Sequence, residues 1–144
     1  MSASDSSGAS LINHWQRGVP VYRAMLERPG IEPRIRQQAL EGLSKLNGSQ
    51  PLTELIAALD RLDGRPASTQ PTQDLAGMLA KADPKSLSSA RVDLERLALR
   101  SRNDATRQGG FAALVRADGS AQRAWELTAS SPQSRIDLIR ALTG

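Results

Sequence analysis

Residues 33–62 read PRIRQQALEGLSKLNGSQPLTELIAALDRL, and this stretch decides the fold class. Its first half places Ile35, Ala39, Leu43 and Leu46 on one helical face. Pro33 opens that helix, because its fixed φ and missing N–H suit a first helical position. Asn47-Gly48 closes it, since glycine adopts a left-handed C-terminal cap without steric penalty. In the second half Leu52, Leu55, Ile56, Leu59 and Leu62 recur with helical period. Ser49 is the expected N-cap, with Pro51 in the first turn. Two amphipathic helices joined by a short break make a hairpin whose apolar stripes must be covered by further helices.

The same punctuation continues on both sides. Upstream, Gly18-Val19-Pro20 breaks or starts a helix that runs to about Arg28 and ends at Pro29-Gly30. Downstream, Asp63 to Gln70 (DGRPASTQ) reads as the longest internal loop, and Pro71 opens a helix with Leu75, Met78, Leu79 and Ala82 inward. Asp83 caps and Pro84 opens a long helix through Leu87, Ala90, Leu94, Leu97 and Ala98 to Arg100. Asn103 or Asp104 caps a helix with Phe111, Leu114 and Val115. Asp118-Gly119-Ser120 turns into a short helix carrying Ala124 and Trp125. Ser131-Pro132 starts the last, with Leu138, Ile139 and Leu142. No window alternates with the period of a strand. The expectation is an all-α chain, with a Ser/Gly/Ala-rich disordered tail at 1–8 and a single domain over 9–144.

Composition agrees. Of the 144 residues only 3% are aromatic (Trp15, Tyr22, Phe111 and Trp125), so a Leu/Ile/Ala core must form by helix-on-helix packing. No run approaches the roughly 20 apolar residues of a membrane span, and the first ten residues lack the basic region of a signal peptide. The absence of cysteine excludes disulfides, thiolate metal sites and covalent haem attachment within this chain. The formal charge of +4 is unevenly placed: residues 1–83 hold nine basic and nine acidic residues, and 84–144 hold ten and six. That surplus either forms a solvated surface or attracts a polyanion.

A pattern recurs in the second helix of each hairpin. Pro33-x-x-Arg36-x-x-Ala39-x-x-x-Leu43 states it, and Asp104-x-x-Arg107-x-x-Gly110-x-x-x-Leu114 and Pro132-x-x-Arg135-x-x-Leu138-x-x-x-Leu142 repeat it. Pro71-x-x-Asp74-x-x-Gly77 reads as a degenerate copy that lacks the arginine. Openings at 33, 71, 104 and 132 lie 38, 33 and 28 residues apart, the length of stacked helical hairpins. The expected architecture is a HEAT-like α-solenoid of about four hairpins, with an irregular helical bundle as the alternative.

Pro33 to Leu43 resembles a HEAT-type second helix. Glu32–Arg65 and Arg107–Leu142 resemble the helical segment of large multidomain proteins from planctomycetes and related bacteria. Those proteins join a sugar-dehydrogenase-like (sorbosone-dehydrogenase-like) propeller, a HEAT-like region and a cytochrome c-type domain. The resemblance implies a module excised from such a parent and an extracytoplasmic setting. Any redox chemistry would lie in the neighbouring domains, because the Cys-x-x-Cys-His haem motif is missing here.

No motif suggests catalysis. His14 is the one histidine, so a metalloprotease H-E-x-x-H is impossible, and no G-x-S-x-G gives a Ser–His–Asp hydrolase context. Asp60/Asp63 sit at a helix end beside Arg61 and Arg65 and read as solvated charges, and Asp93/Glu95 point to different faces. Gly109-Gly110 reads as a close helix contact and not a phosphate loop, and Asp118-Gly119-Ser120 as a turn and not a calcium loop. Asn47-Gly48-Ser49 matches a glycosylation sequon but encodes one helix end and the next cap. No catalytic residue, metal site or cofactor is expected. The candidate interaction surface is Arg96, Arg100, Arg102 and Arg107, clustered around a turn, with Trp125. Trp125 itself reads first as a core or inter-repeat plug, and Arg100 and Arg102 as complements to a helix C-terminus. The expected function is a non-catalytic interaction or spacer domain that contacts a protein or its flanking domains, with nucleic-acid binding by the basic half as the alternative.

Overall fold

A computed structural model describes residues 18–144, and its regular elements are all helices. Residues 18–27 form α1, followed by α2 (Pro33–Asn47), α3 (Pro51–Leu62), α4 (Thr69–Ala80), α5 (Pro84–Ser89), α6 (Arg91–Arg100), α7 (Asp104–Asp118), α8 (Gln122–Leu127) and α9 (Pro132–Thr143). No strand occurs among the described residues. The readings of the tail at 1–8, of His14 and of Trp15 lie outside them.

The helix ends follow local chemistry. Gly48 and Gly119 close α2 and α7 in the left-handed conformation, at φ of 63° and 72°. Asp83 accepts the Ser86 N–H at 3.0 Å, and Ser131 accepts that of Ser134 at 3.2 Å. Ser49 does not cap α3. Its hydroxyl instead donates to the buried Glu54 carboxylate at 2.5 Å, and Asn47 Nδ2 donates to the same oxygen at 3.2 Å. The sequon residues therefore tie the end of α2 to the start of α3.

Two boundaries depart from the sequence reading. α4 starts at Thr69, ahead of Pro71. Proline is tolerated there because the first-turn N–H groups have no intrahelical acceptor. The long helix expected through Ala90 is broken in two. The Ser88 and Ser89 hydroxyls donate back to the carbonyls of Pro84 and Lys85, and the Ala90 N–H turns to Leu87 O at 3.0 Å. Serine pairs that compete for backbone acceptors bend helices. Leu87 and Leu94, on either side of the break, are both fully buried.

The core is a leucine seam with one large aromatic. Leu40 and Leu43 of α2, Leu55 and Leu59 of α3, Leu75 and Leu79 of α4, and Leu94 and Leu97 of α6 belong to one buried cluster with Phe111 and Leu114 of α7, both fully buried. α7 packs against α4, α5, α6, α8 and α9. Two glycines permit this crowding. A Cβ on Gly109 would lie 2.9 Å from Ala76 Cβ of α4, and one on Gly110 would lie 2.8 Å from the Ala98 nitrogen of α6. Both neighbouring backbones thus approach α7 as closely as glycine allows.

Candidate functional site

The most buried cation in the described chain is Arg36, whose side chain has no exposure. A charged group in that position costs several kcal/mol, of order, unless it is paired and fully hydrogen-bonded. It is both. Nε donates to Asp74 Oδ2 of α4 at 3.1 Å. Nη1 donates to the carbonyls of Met25 and Leu26 at 3.3 and 2.6 Å. Nη2 donates to Arg28 O at 3.0 Å and to Gln70 Oε1 at 3.2 Å. All five guanidinium donors are used. The three carbonyls close α1, where the helix dipole presents partial negative charge. One arginine therefore joins the end of α1 to α2 and latches both to α4.

Arg107 repeats the arrangement on α7. Its Nε donates to Asp137 Oδ2 of α9 at 2.7 Å, and Nη1 donates to the carbonyls of Ser101 and Arg102 at the end of α6, at 3.2 and 2.7 Å. Asp137 is fully buried and Arg107 is 18% exposed. In both latches the arginine lies three residues after the opening Pro or Asp. In both, the carboxylate is the sixth residue of a twelve-residue helix. Asp74 is thus the acceptor of the pattern and not a decayed copy of it.

The remaining surface charges pair between elements. Asp63 accepts the N–H groups of Arg102 and Asn103, at 2.8 and 2.9 Å, and so caps α7 from the loop after α3. Neither predicted cap does this work: Asn103 makes no side-chain cap, and Asp104 accepts only the neighbouring Ala105 N–H. Arg61 and Arg65 pair with Glu27, at 2.9 and 3.1 Å, instead of with the Asp60/Asp63 pair. Arg96 takes Asp60 at 2.8 Å and Asp93 at 3.5 Å, and the hydrogen bonds it donates to the Asp60 carboxylate hold its guanidinium above its ordinary pKa. Arg91 pairs bidentately with Asp118, with Nη2 2.9 Å from Oδ2. That hydrogen bond lowers the Asp118 carboxyl below its usual range, with burial partly opposing.

The predicted surface is therefore divided. Arg96 and Arg107 are engaged in ion pairs, and Arg107 is the residue that complements the C-terminus of α6. Arg100 and Arg102 keep exposed side chains. Trp125 is 46% exposed, which corrects its reading as a plug, and the Arg135 guanidinium stacks over its ring at 4.8 Å. Ile139 and Leu142, read as inward, are 49% and 52% exposed; α9 turns Ser134, Asp137 and Leu138 inward because Asp137 must reach Arg107. With Ile136 they form an apolar face on α9 beside Trp125.

A groove of about 780 Å³ lies where the start of α3 and the end of α4 meet the α5–α6 bend. Leu52, Met78 and Ala90 line its floor, and Lys81, Asp83 and Asp93 its rim. The described residues contain no group of three or more His, Asp or Glu placed to hold a metal ion, and no helix among them is long and apolar enough to cross a membrane.

Sequence reasoning missed the carboxylate half of the latch, although a signal was present. Gln-x-x-x-(Asp/Glu)-Leu occurs at Gln50–Leu55, Gln70–Leu75, Gln122–Leu127 and Gln133–Leu138. In three copies the acid receives bonds from an earlier segment, as Glu54, Asp74 and Asp137 do. Gln70 and Gln133 each donate to their own acid one turn later, at 2.6 and 3.5 Å.

Comparison of the chain with models of known protein families, with curated proteins and with solved structures finds no match.

Proposed function

We propose that this chain is a non-catalytic protein-interaction or spacer module, a HEAT-like stack of helical hairpins that engages its partner through the outer face of α8 and α9. The observation that carries the reading is the clustering of exposed apolar side chains. Trp125, Ile136, Ile139 and Leu142 lie within one hairpin, whereas of the other large exposed apolar residues described Val21 lies on α1 and Val92 and Leu99 lie near opposite ends of α6. Contiguous exposed apolar surface marks interaction sites, and single exposed residues do not. The stacked architecture is supported by the recurrence of the same arginine latch from α2 to α4 and from α7 to α9. By the resemblance noted above, the parent would be a multidomain redox protein whose flanking domains this module holds in register.

The test is site-specific photo-crosslinking from position 139, with position 92 as control, followed by reconstitution with the purified, identified partner. The proposal expects adducts at 139 and binding that Ile139→Asp abolishes. Equal labelling from 92 and 139 would contradict it.

A second reading is binding of a nucleic-acid backbone. Seven cations of the second half, Lys85, Arg100, Arg102, Arg116, Arg123, Arg135 and Arg140, make no ion pair among the described residues, against five in residues 18–83, and the second half also holds fewer acids. It predicts binding of a labelled duplex that weakens steeply with salt. Absence of binding at low salt removes it.

A further inference from the structure

We infer that the outer face of α9 is a docking site for an amphipathic helix of a partner protein, one that brings an Asp or Glu to Arg135. The inference rests on the interaction reading above and specifies the chemistry of the partner.

The argument comes from three equivalent positions. Counting from the opening Pro or Asp, residues three, seven and ten further on are Arg36, Leu40 and Leu43 in α2, Arg107, Phe111 and Leu114 in α7, and Arg135, Ile139 and Leu142 in α9. In α2 the two apolar members are 2% and 0% exposed, and in α7 both are 0%. In α9 they are 49% and 52% exposed. The arginines differ in the same way. Arg36 and Arg107 each hold a carboxylate from a later helix, at 3.1 and 2.7 Å. Arg135 is exposed, makes no ion pair among the described residues, and stacks on Trp125.

The chain thus shows twice what such an arginine accepts, and in α7 what seats on the trio. The helix α9 seated on α7 brings an Asp at its sixth residue followed by a buried Leu, and α4, latched to Arg36, carries the same Asp-Leu pair. A helix of that type would cover Ile139 and Leu142 and give Arg135 its missing acceptor. Charge complementarity points the same way. Arg123, Arg135 and Arg140 are exposed on this hairpin, Glu126 is its one exposed acid, and Asp137 is already spent on Arg107. A partner helix with acidic flanks is therefore favoured, with the apolar residues supplying area and the Arg135 pair fixing register.

The probe is a helix-stapled peptide with the sequence of Ser131–Gly144, which reproduces the face that α9 presents to α7, titrated onto the whole chain by fluorescence anisotropy. Saturable binding is expected, weakened about tenfold or more by Asp137→Asn in the peptide or Arg135→Ala in the protein. Pairing Arg135→Glu protein with Asp137→Lys peptide should restore it. Arg135 is exposed, so these variants retain the fold. Binding that is lost with Ile139→Asp but indifferent to both charge variants would overturn the carboxylate latch and leave the interaction reading standing. No saturable binding to the unaltered chain would overturn the docking site. Concentration-dependent dimerisation of the chain, measured by light scattering and abolished by Ile139→Asp, would replace the partner protein with a second copy and overturn the inference.

Discussion

Substituting Gly110 by alanine should destabilise the protein, whereas the same change at Gly77 should stabilise it. Both glycines are helical, so each gains about 1 kcal/mol of helix propensity on becoming alanine. They differ in what the new methyl meets. At Gly77 nothing lies within 4 Å, and the gain is realised in full. At Gly110 the added carbon would sit 2.8 Å from Ala98 N, 3.0 Å from its Cα and 3.1 Å from its Cβ. Ordinary contact begins near 3.4 Å, and no flexible side chain can yield because the obstacle is the α6 backbone and its shortest side chain. α6 and α7 must separate by about half an ångström along a buried seam, an overpacking that costs about 2–3 kcal/mol. The net loss is about 1–2 kcal/mol, so the two variants should differ by about 2–3 kcal/mol. Urea unfolding followed by circular dichroism measures this difference, with unchanged slope as the control. Equal stability of Gly77→Ala and Gly110→Ala would refute the close α6–α7 approach.

Other expectations follow from single contacts. Asp63→Ala removes the acceptor for two backbone N–H groups at the start of α7 and should cost about 1–2 kcal/mol in the same unfolding assay, while Asp63→Asn should cost less. Because Arg91 lowers the Asp118 carboxyl, Asp118 contributes stability that is complete above the unfolded value, about 3.9, and is lost as pH falls through the lower folded value. The melting-temperature gap between the parent and Asp118→Asn should accordingly stay constant from roughly pH 8 to 5 and close below about pH 4. The Thr106 hydroxyl is fully buried without a hydrogen-bond partner, so Thr106→Val should be neutral or stabilising by up to about 1 kcal/mol, and a loss on denaturant unfolding would show that the hydroxyl is in fact bonded.

Helices were legible where period and punctuation agreed. The α3 stripe, Pro33, Gly48, Asp83 and Ser131 each encode their element within a few residues, and the structure places them accordingly. What escaped sequence reasoning depends on residues far apart in the chain. Asp63 caps a helix about 40 positions later, so Asn103 beside the helix seemed the better candidate. Asp74 looked like a lost arginine because its partner, Arg36, lies 38 residues earlier. Ile139 and Leu142 fit an inward helical period, but Asp137 and Leu138 also claim the inner face, and the buried ion pair with Arg107 decides the rotation of α9. The break at Ala90 followed from serine hydroxyls competing for carbonyls, an effect that apolar periodicity does not register.

The most direct test of the latch is a double-mutant cycle between Arg36 and Asp74. Arg36→Met leaves the α1 carbonyls and the Asp74 carboxylate without their donor and should cost about 3 kcal/mol or more by denaturant unfolding. Combined with Asp74→Ala, the losses should fall short of their sum by about 2 kcal/mol. Additivity within about 0.5 kcal/mol would mean that the two residues do not hold α2 to α4, and the inference drawn for Arg135 would lose its precedent.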